Sequence, residues 1–153
     1  MAKLVFISFV LACFYFIGIY CDADLDTKGF FKIRKNAVFQ YRLAKVEIEQ
    51  IIFQKVHAAM RKATEYEQKT CVDDVKMKSL LESGRVLDKT VGKILPAIEE
   101  VTAALTKGDN SKLMEFNNKW DYEQFKKEAA DEFQTKSKGL ANAVQQKLDK
   151  CTN

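Results

Sequence analysis

The stretch Leu80–Leu105, LLESGRVLDKTVGKILPAIEEVTAAL, decides the architecture of this 153-residue chain. Leu80, Gly84, Leu87, Val91, Ile94, Ile98, Val101 and Leu105 recur at alternating steps of four and three. Only an α-helix gathers such residues onto one face. A comparable stripe precedes it: Val38, Tyr41, Ala44, Ile48, Ile52, Val56, Ala59, Ala63 and Tyr66. Another follows it: Phe125, Ala129, Phe133, Ser137, Leu140, Val144, Leu148 and Cys151. One Pro and six Gly leave little to interrupt long helices. The sequence therefore predicts an all-α domain over 31–153, an up-down-up bundle of three long helices with the third one bent.

Local signals set the expected boundaries. The first helix is expected from Phe31 to about Lys69, and Thr70, Cys71 and Asp73-Asp74 read as a capped turn into the second. Gly108-Asp109-Asn110 reads as a stop and a new helix start. Asn117-Asn118 and Asp121 mark the bend, with Asp121 and Gln124 at capping-box spacing. Pro96 lies inside the second helical pattern, where it removes a backbone hydrogen bond and crowds the carbonyl of Gly92. The spacing predicts a helix kink at Gly92–Pro96.

The first 23 residues read as a secretory signal peptide. Lys3 is the positive end, Leu4–Tyr20 is continuously apolar, and Cys21-Asp22-Ala23 supplies the small residues a signal peptidase needs. Residues 24–30 are short, polar and contain Gly29, so they read as a flexible leader. A secreted, extracellular chain with no membrane span after signal removal is expected. Of four cysteines, Cys13 and Cys21 fall in the removed segment. Cys71 and Cys151 remain, and an even count in an exported chain points to a disulfide. In an up-down-up bundle the end of the third helix lies at the pole that carries the first turn, so the two would meet. No Asn-x-Ser/Thr sequon occurs.

Chemistry-bearing patterns are sparse. The net charge of +4 comes from interspersed Lys and Glu, without the basic blocks that nucleic acid needs. His57 is the only histidine, so it has no partner for a metal or acid–base pair. Phosphate-binding glycine loops, nucleophile elbows and EF-hand spacing do not occur. Asp73-Asp74 and Glu99-Glu100 read as a helix start and a solvated face. No catalytic residue, metal ligand or cofactor is assigned, and a non-enzyme is expected.

What remains is surface. A second stripe runs along the first helix through Phe39, Leu43, Val46, Gln50, Phe53, His57 and Met60, widening its apolar arc. The arc serves two neighbouring helices, a partner or self-association face, or a groove for an apolar ligand. In the last case Phe31, Phe39, Phe53, Phe116, Trp120, Phe125 and Phe133 would line it. Phe39, Leu43, Val46, Phe53, His57 and Met60 form the candidate binding face.

The Lys/Gln/Ala-rich amphipathic tail Glu132–Lys150 resembles exchangeable insect apolipoproteins of the apolipophorin III type. That resemblance implies a bundle that opens on lipid, which a Cys71–Cys151 staple would restrict. The signal, the bridge and the helical mature chain also resemble small salivary or venom proteins of arthropods, such as the anophensin and albicin group. That group implies binding to host plasma contact or complement proteins. The leading expectation is a secreted, non-enzymatic helical protein, monomer or weak dimer, that binds an extracellular protein. The alternative is an extracellular carrier of a small apolar ligand or lipid.

Overall fold

The structure, a computed structural model, describes residues 24–153; the expected signal peptide, 1–23, lies outside them. The chain divides into two units, 1–35 and 36–153. Among the described residues there are five α-helices and no strand. They are α1 (Asp24–Lys62), α2 (Tyr66–Lys89), α3 (Leu95–Thr106), α4 (Ser111–Lys119) and α5 (Tyr122–Thr152). The all-α expectation holds, but each of the second and third long helices is divided in two.

In the first unit the described residues are the opening of α1. The segment expected as a flexible leader, 24–30, is helical instead. One glycine in a helix interior costs only about 1 kcal/mol, too little for Gly29 to break a continuous pattern. Phe30 is buried there, and its ring meets Phe31 edge-on at 5.7 Å.

The second unit has a core in two tiers. In one, Ile52, Val56 and Ala59 of α1 meet Val72 and Val75 of α2 and Val144, Leu148 and Cys151 of α5. In the other, Ala44 and Ile48 meet Leu87 and Phe133. Between tiers the residue numbers fall along α1 and α5 while they rise along α2. The three helices therefore alternate in direction, up-down-up. Cys71 and Cys151 close at the first tier, with Sγ–Sγ 2.06 Å and Cα–Cα 5.6 Å.

The first turn lies earlier than expected, at Ala63–Glu65, and Cys71, Asp73 and Asp74 sit inside α2. Gln68 accounts for the shift. Its Oε1 accepts from the backbone N–H of Thr64 at 2.9 Å and of Glu65 at 3.2 Å, so the N-cap donor of α2 and the one before it are met by the helix they lead into. Tyr66, expected to continue the inner stripe, is the most exposed large apolar side chain of α2 at 83%. The turn has changed its phase.

At Gly92–Pro96 the chain breaks rather than kinks. α2 ends at Lys89, and α3 begins at Leu95 with Pro96 in its first turn. A proline is tolerated there because the first N–H groups have no helical partner. The Gly92 N–H reaches back to the Leu87 carbonyl at 2.8 Å, and the Thr90 hydroxyl donates to the Val86 carbonyl at 2.6 Å. A Cβ on Gly92 would stand 2.9 Å from both the Leu87 carbonyl oxygen and Cε2 of Tyr41. Glycine is needed because α1 lays an aromatic edge against this turn. The apolar stripe survives the break: Leu87, Ile94, Ile98 and Val101 are all buried.

α3 and α4 form a hairpin through Gly108, whose φ of +78° is the left-handed geometry glycine takes without strain. Asp109 Oδ1 accepts from the Ser111 N–H at 2.9 Å and its hydroxyl at 2.6 Å, which holds that carboxyl below its usual range. Lys112 Nζ bridges Glu115 at 2.9 Å and Glu100 at 3.0 Å, tying the two helices together. Their carboxylates hold the ammonium protonated above the ordinary lysine range. The expected bend is a full break at Trp120–Asp121, where Asp121 Oδ1 caps the Gln124 N–H at 3.0 Å.

Candidate binding face

α1 buries one side and leaves the other open. Ala44, Ile48, Ile52, Val56 and Ala59 point into the core. On the opposite side Phe39 is 57% exposed, Leu43 49%, Val46 53% and Phe53 48%. Their spacing of four, three and seven keeps them in one line roughly 21 Å long at 1.5 Å per residue. Gln50 and His57 continue the line and are exposed. The wide apolar arc is therefore not consumed by α2 and α5.

One member of the expected face lies elsewhere. Met60 is half-buried and packs on the Ile52–Val56–Leu148 cluster, so its side chain belongs to the core edge. Two further residues join: at about 100° per residue, exposed Arg42 and Arg61 fall within roughly 60° of the line. The nearest acids, Glu47 and Glu49, stand about 80° to either side by the same count. Lys45 offsets Glu49 at 3.9 Å. Arg42 and Arg61 carry no apolar period, so their helical phase beside the stripe is the sequence signal that places them here.

The aromatics expected to line an apolar-ligand groove do not converge. Phe133 fills the core tier with Ala44, Ile48 and Leu87. Phe116, Trp120 and Phe125 form their own cluster at the α4–α5 junction, Phe116 stacked on Trp120 at 6.4 Å and Trp120 edge-on to Phe125 at 5.3 Å. Phe39 and Phe53 face outward, and Phe31 belongs to the first unit.

Polar groups in the interior are all satisfied, with no buried side-chain N or O lacking a partner among the described residues. Ser79 and Thr90 donate to carbonyls four residues back, and Ser83 to that of Leu80 three back. Tyr41 donates to Asp88 Oδ1 at 3.1 Å, and burial followed by this carboxylate raises its phenol above the ordinary 10.0. Among the described residues no three His, Cys, Asp or Glu side chains gather. Asp73 pairs with Lys76 at 2.7 Å and Glu100 with Lys112. His57 stands alone on the open side of α1. No described helix is long and apolar enough to cross a membrane.

An all-α bundle, stapled once and showing an apolar line on one helix, is the class these features define. No family model and no solved structure matches the chain. Two venom proteins of the assassin bug Platymeris rhadamanthus do. Venom protein family 1 protein 2 is 50% identical over 151 residues, covering 99% of both chains. Venom protein family 1 protein 1 is 37% identical over 142 residues, covering 93% of this chain and 95% of the relative. The chain belongs to venom protein family 1. The expected venom-type arthropod protein is thereby established, whereas these relatives lend nothing to the narrower likeness to anophensin, albicin or apolipophorin III.

Proposed function

We propose that the chain is a secreted, non-enzymatic venom protein that acts by binding an extracellular protein through the outer face of α1. The observation that carries this is the exposed line Phe39–Leu43–Val46–Phe53. Isolated apolar residues are ordinary on a surface, but an aligned set on one helix marks an interaction site. Such a face matches helix-in-groove recognition, with anchors repeating at three and four residues. Arg42 and Arg61 beside it favour a partner groove with an acidic rim. Family membership supports secretion.

The test compares the wild-type protein with Phe39→Ser/Phe53→Ser, each immobilised and exposed to insect haemolymph and to vertebrate plasma. A specific partner should bind the wild type and bind the variant about thirtyfold more weakly, the scale of losing an aromatic anchor. Circular dichroism should match between the two. Identical retention of every plasma and haemolymph protein by both forms would remove the α1 face from the function.

A further inference from the structure

We propose that the groove between α2 and α5 is a binding site for a single-chain anionic amphiphile of the fatty-acid type. It is independent of the α1 face. α2 and α5 run closely antiparallel and are bonded through Cys71–Cys151, so the two walls of the groove are covalently tied at one end. Gly139 opens it: a Cβ at that position would meet nothing within 4 Å. Val86 and Leu140, both half-buried against the core, and Ala143 make an aliphatic floor. The cavity is about 510 Å³, within the range that takes small molecules.

Charge then selects the ligand. The rim carries Arg85, Lys89, Lys136 and Lys147 against one acid, Glu82. Glu82 holds Arg85 at 3.1 Å, and Glu132 holds Lys136 at 2.5 Å. Lys89 and Lys147 make no ion pair among the described residues. Because the helices are antiparallel, Lys89 of α2 and Lys147 of α5 sit near opposite ends of the trough. An acyl chain on the floor reaches a lysine with its headgroup in either sense. A second groove, between α1 and α5, provides an internal contrast. It measures about 350 Å³ and is lined by Glu47 and Asp131 with no Lys or Arg. The two grooves share a scaffold and differ in sign, so an anionic headgroup is directed to the α2–α5 side.

Calorimetric titration of the disulfide-intact protein with laurate, dodecyl maltoside and dodecyltrimethylammonium, each below its micelle concentration, tests the assignment. Laurate should saturate one site per chain and bind at least about tenfold more tightly than the cationic ligand, one charge contact being of that order. Lys89→Glu/Lys147→Glu should cost laurate about tenfold while leaving dodecyl maltoside unchanged. Gly139→Leu, which suits the helix and fills open space, should weaken all three. Phe39→Ser/Phe53→Ser should leave laurate binding intact, which separates this site from the α1 reading. No saturable binding, equal binding of the three headgroups, or indifference to Gly139→Leu each overturns the proposal. So does binding to vesicles of phosphatidylserine in phosphatidylcholine without binding of free laurate, because that places the lipid on the surface and not in the groove.

Discussion

α2 and α5 are joined by different means from those that attach α1 to them. The α2–α5 pair shares a disulfide and a close run of backbone, with Ser79 and Ser83 on one helix and Ser137 on the other, all buried. Small side chains let axes approach at the near end of the usual 8–10 Å range. Residues 36–62 of α1 join that pair through larger aliphatics, chiefly Ile48, Ile52 and Val56. Their polar links to other helices are Tyr41 to Asp88 at 3.1 Å and Lys55 to Gln145 at 3.2 Å. A covalently fixed frame thus stands against a helix held by burial and two side-chain hydrogen bonds, and the exposed apolar line lies on the second.

Removing the staple attacks the frame directly. Cys71→Ser/Cys151→Ser opens a loop of 80 residues and should lower unfolding free energy by about 4–5 kcal/mol on the chain-entropy model. Urea denaturation reads it; a loss below about 1 kcal/mol would mean that the frame is held by packing. Ile52→Ala attacks the attachment of α1 and should cost roughly 2–4 kcal/mol. Amide exchange should accelerate first in 44–59 and only later in α2 and α5. If all three helices loosen together, the distinction between frame and attached helix fails.

The next variant probes the contact between α1 and the α2–α3 turn. Gly92→Ala should destabilise by about 1–3 kcal/mol, because its Cβ meets Tyr41 and a carbonyl oxygen. Gly84→Ala is the matched control in open helix and should stabilise by roughly 0.5–1 kcal/mol. Equal effects would mean that α1 does not press on that turn. Phe39→Ser/Phe53→Ser should change stability least, about 0.5 kcal/mol per site or less, as expected for surface positions. A large loss would return those rings to the core. The smallest effect concerns pH. Tyr41 is raised by burial and then by Asp88, so the fold favours its neutral form. Its contribution is complete below about pH 10 and is lost as pH climbs through the raised value. In ultraviolet titration, wild type minus Tyr41→Phe should leave a single late-ionising phenol as the difference, because Tyr122, raised by its own burial, ionises late in both.

Apolar period told most of this story in advance and could not tell the rest. The stripes of α1 and α5, the up-down-up order and the meeting of Cys71 with Cys151 all follow from spacing and direction. α1 ends earlier than its spacing predicts because Ala59, Ala63 and Tyr66 keep step through a turn fixed by the Gln68 amide, a polar contact that apolar spacing does not register. The α2–α3 break was hidden for a related reason: Leu87, Val91 and Ile94 stay in phase across it. Pro96 showed that something gives way there, but Tyr41, far away in sequence, decides how. The candidate face was legible as a stripe, whereas its exposure depended on whether α2 and α5 flank α1 or crowd against each other. That in turn rests on small residues at their contact.

The disulfide also governs what cutting the backbone would do. Joining residues 71 and 151 makes a covalent ring of α2, α3, α4 and α5, with α1 hanging outside it. A tryptic nick after Lys107, in the exposed Gly108 hairpin, leaves both pieces bonded and the unreduced mass higher by one water. A nick after Lys62, beside the Ala63–Glu65 turn, severs the ring's tether to α1 and frees the apolar line Phe39–Phe53 as a separate peptide. Position of cleavage, not extent, would then decide whether this venom protein keeps its outer face.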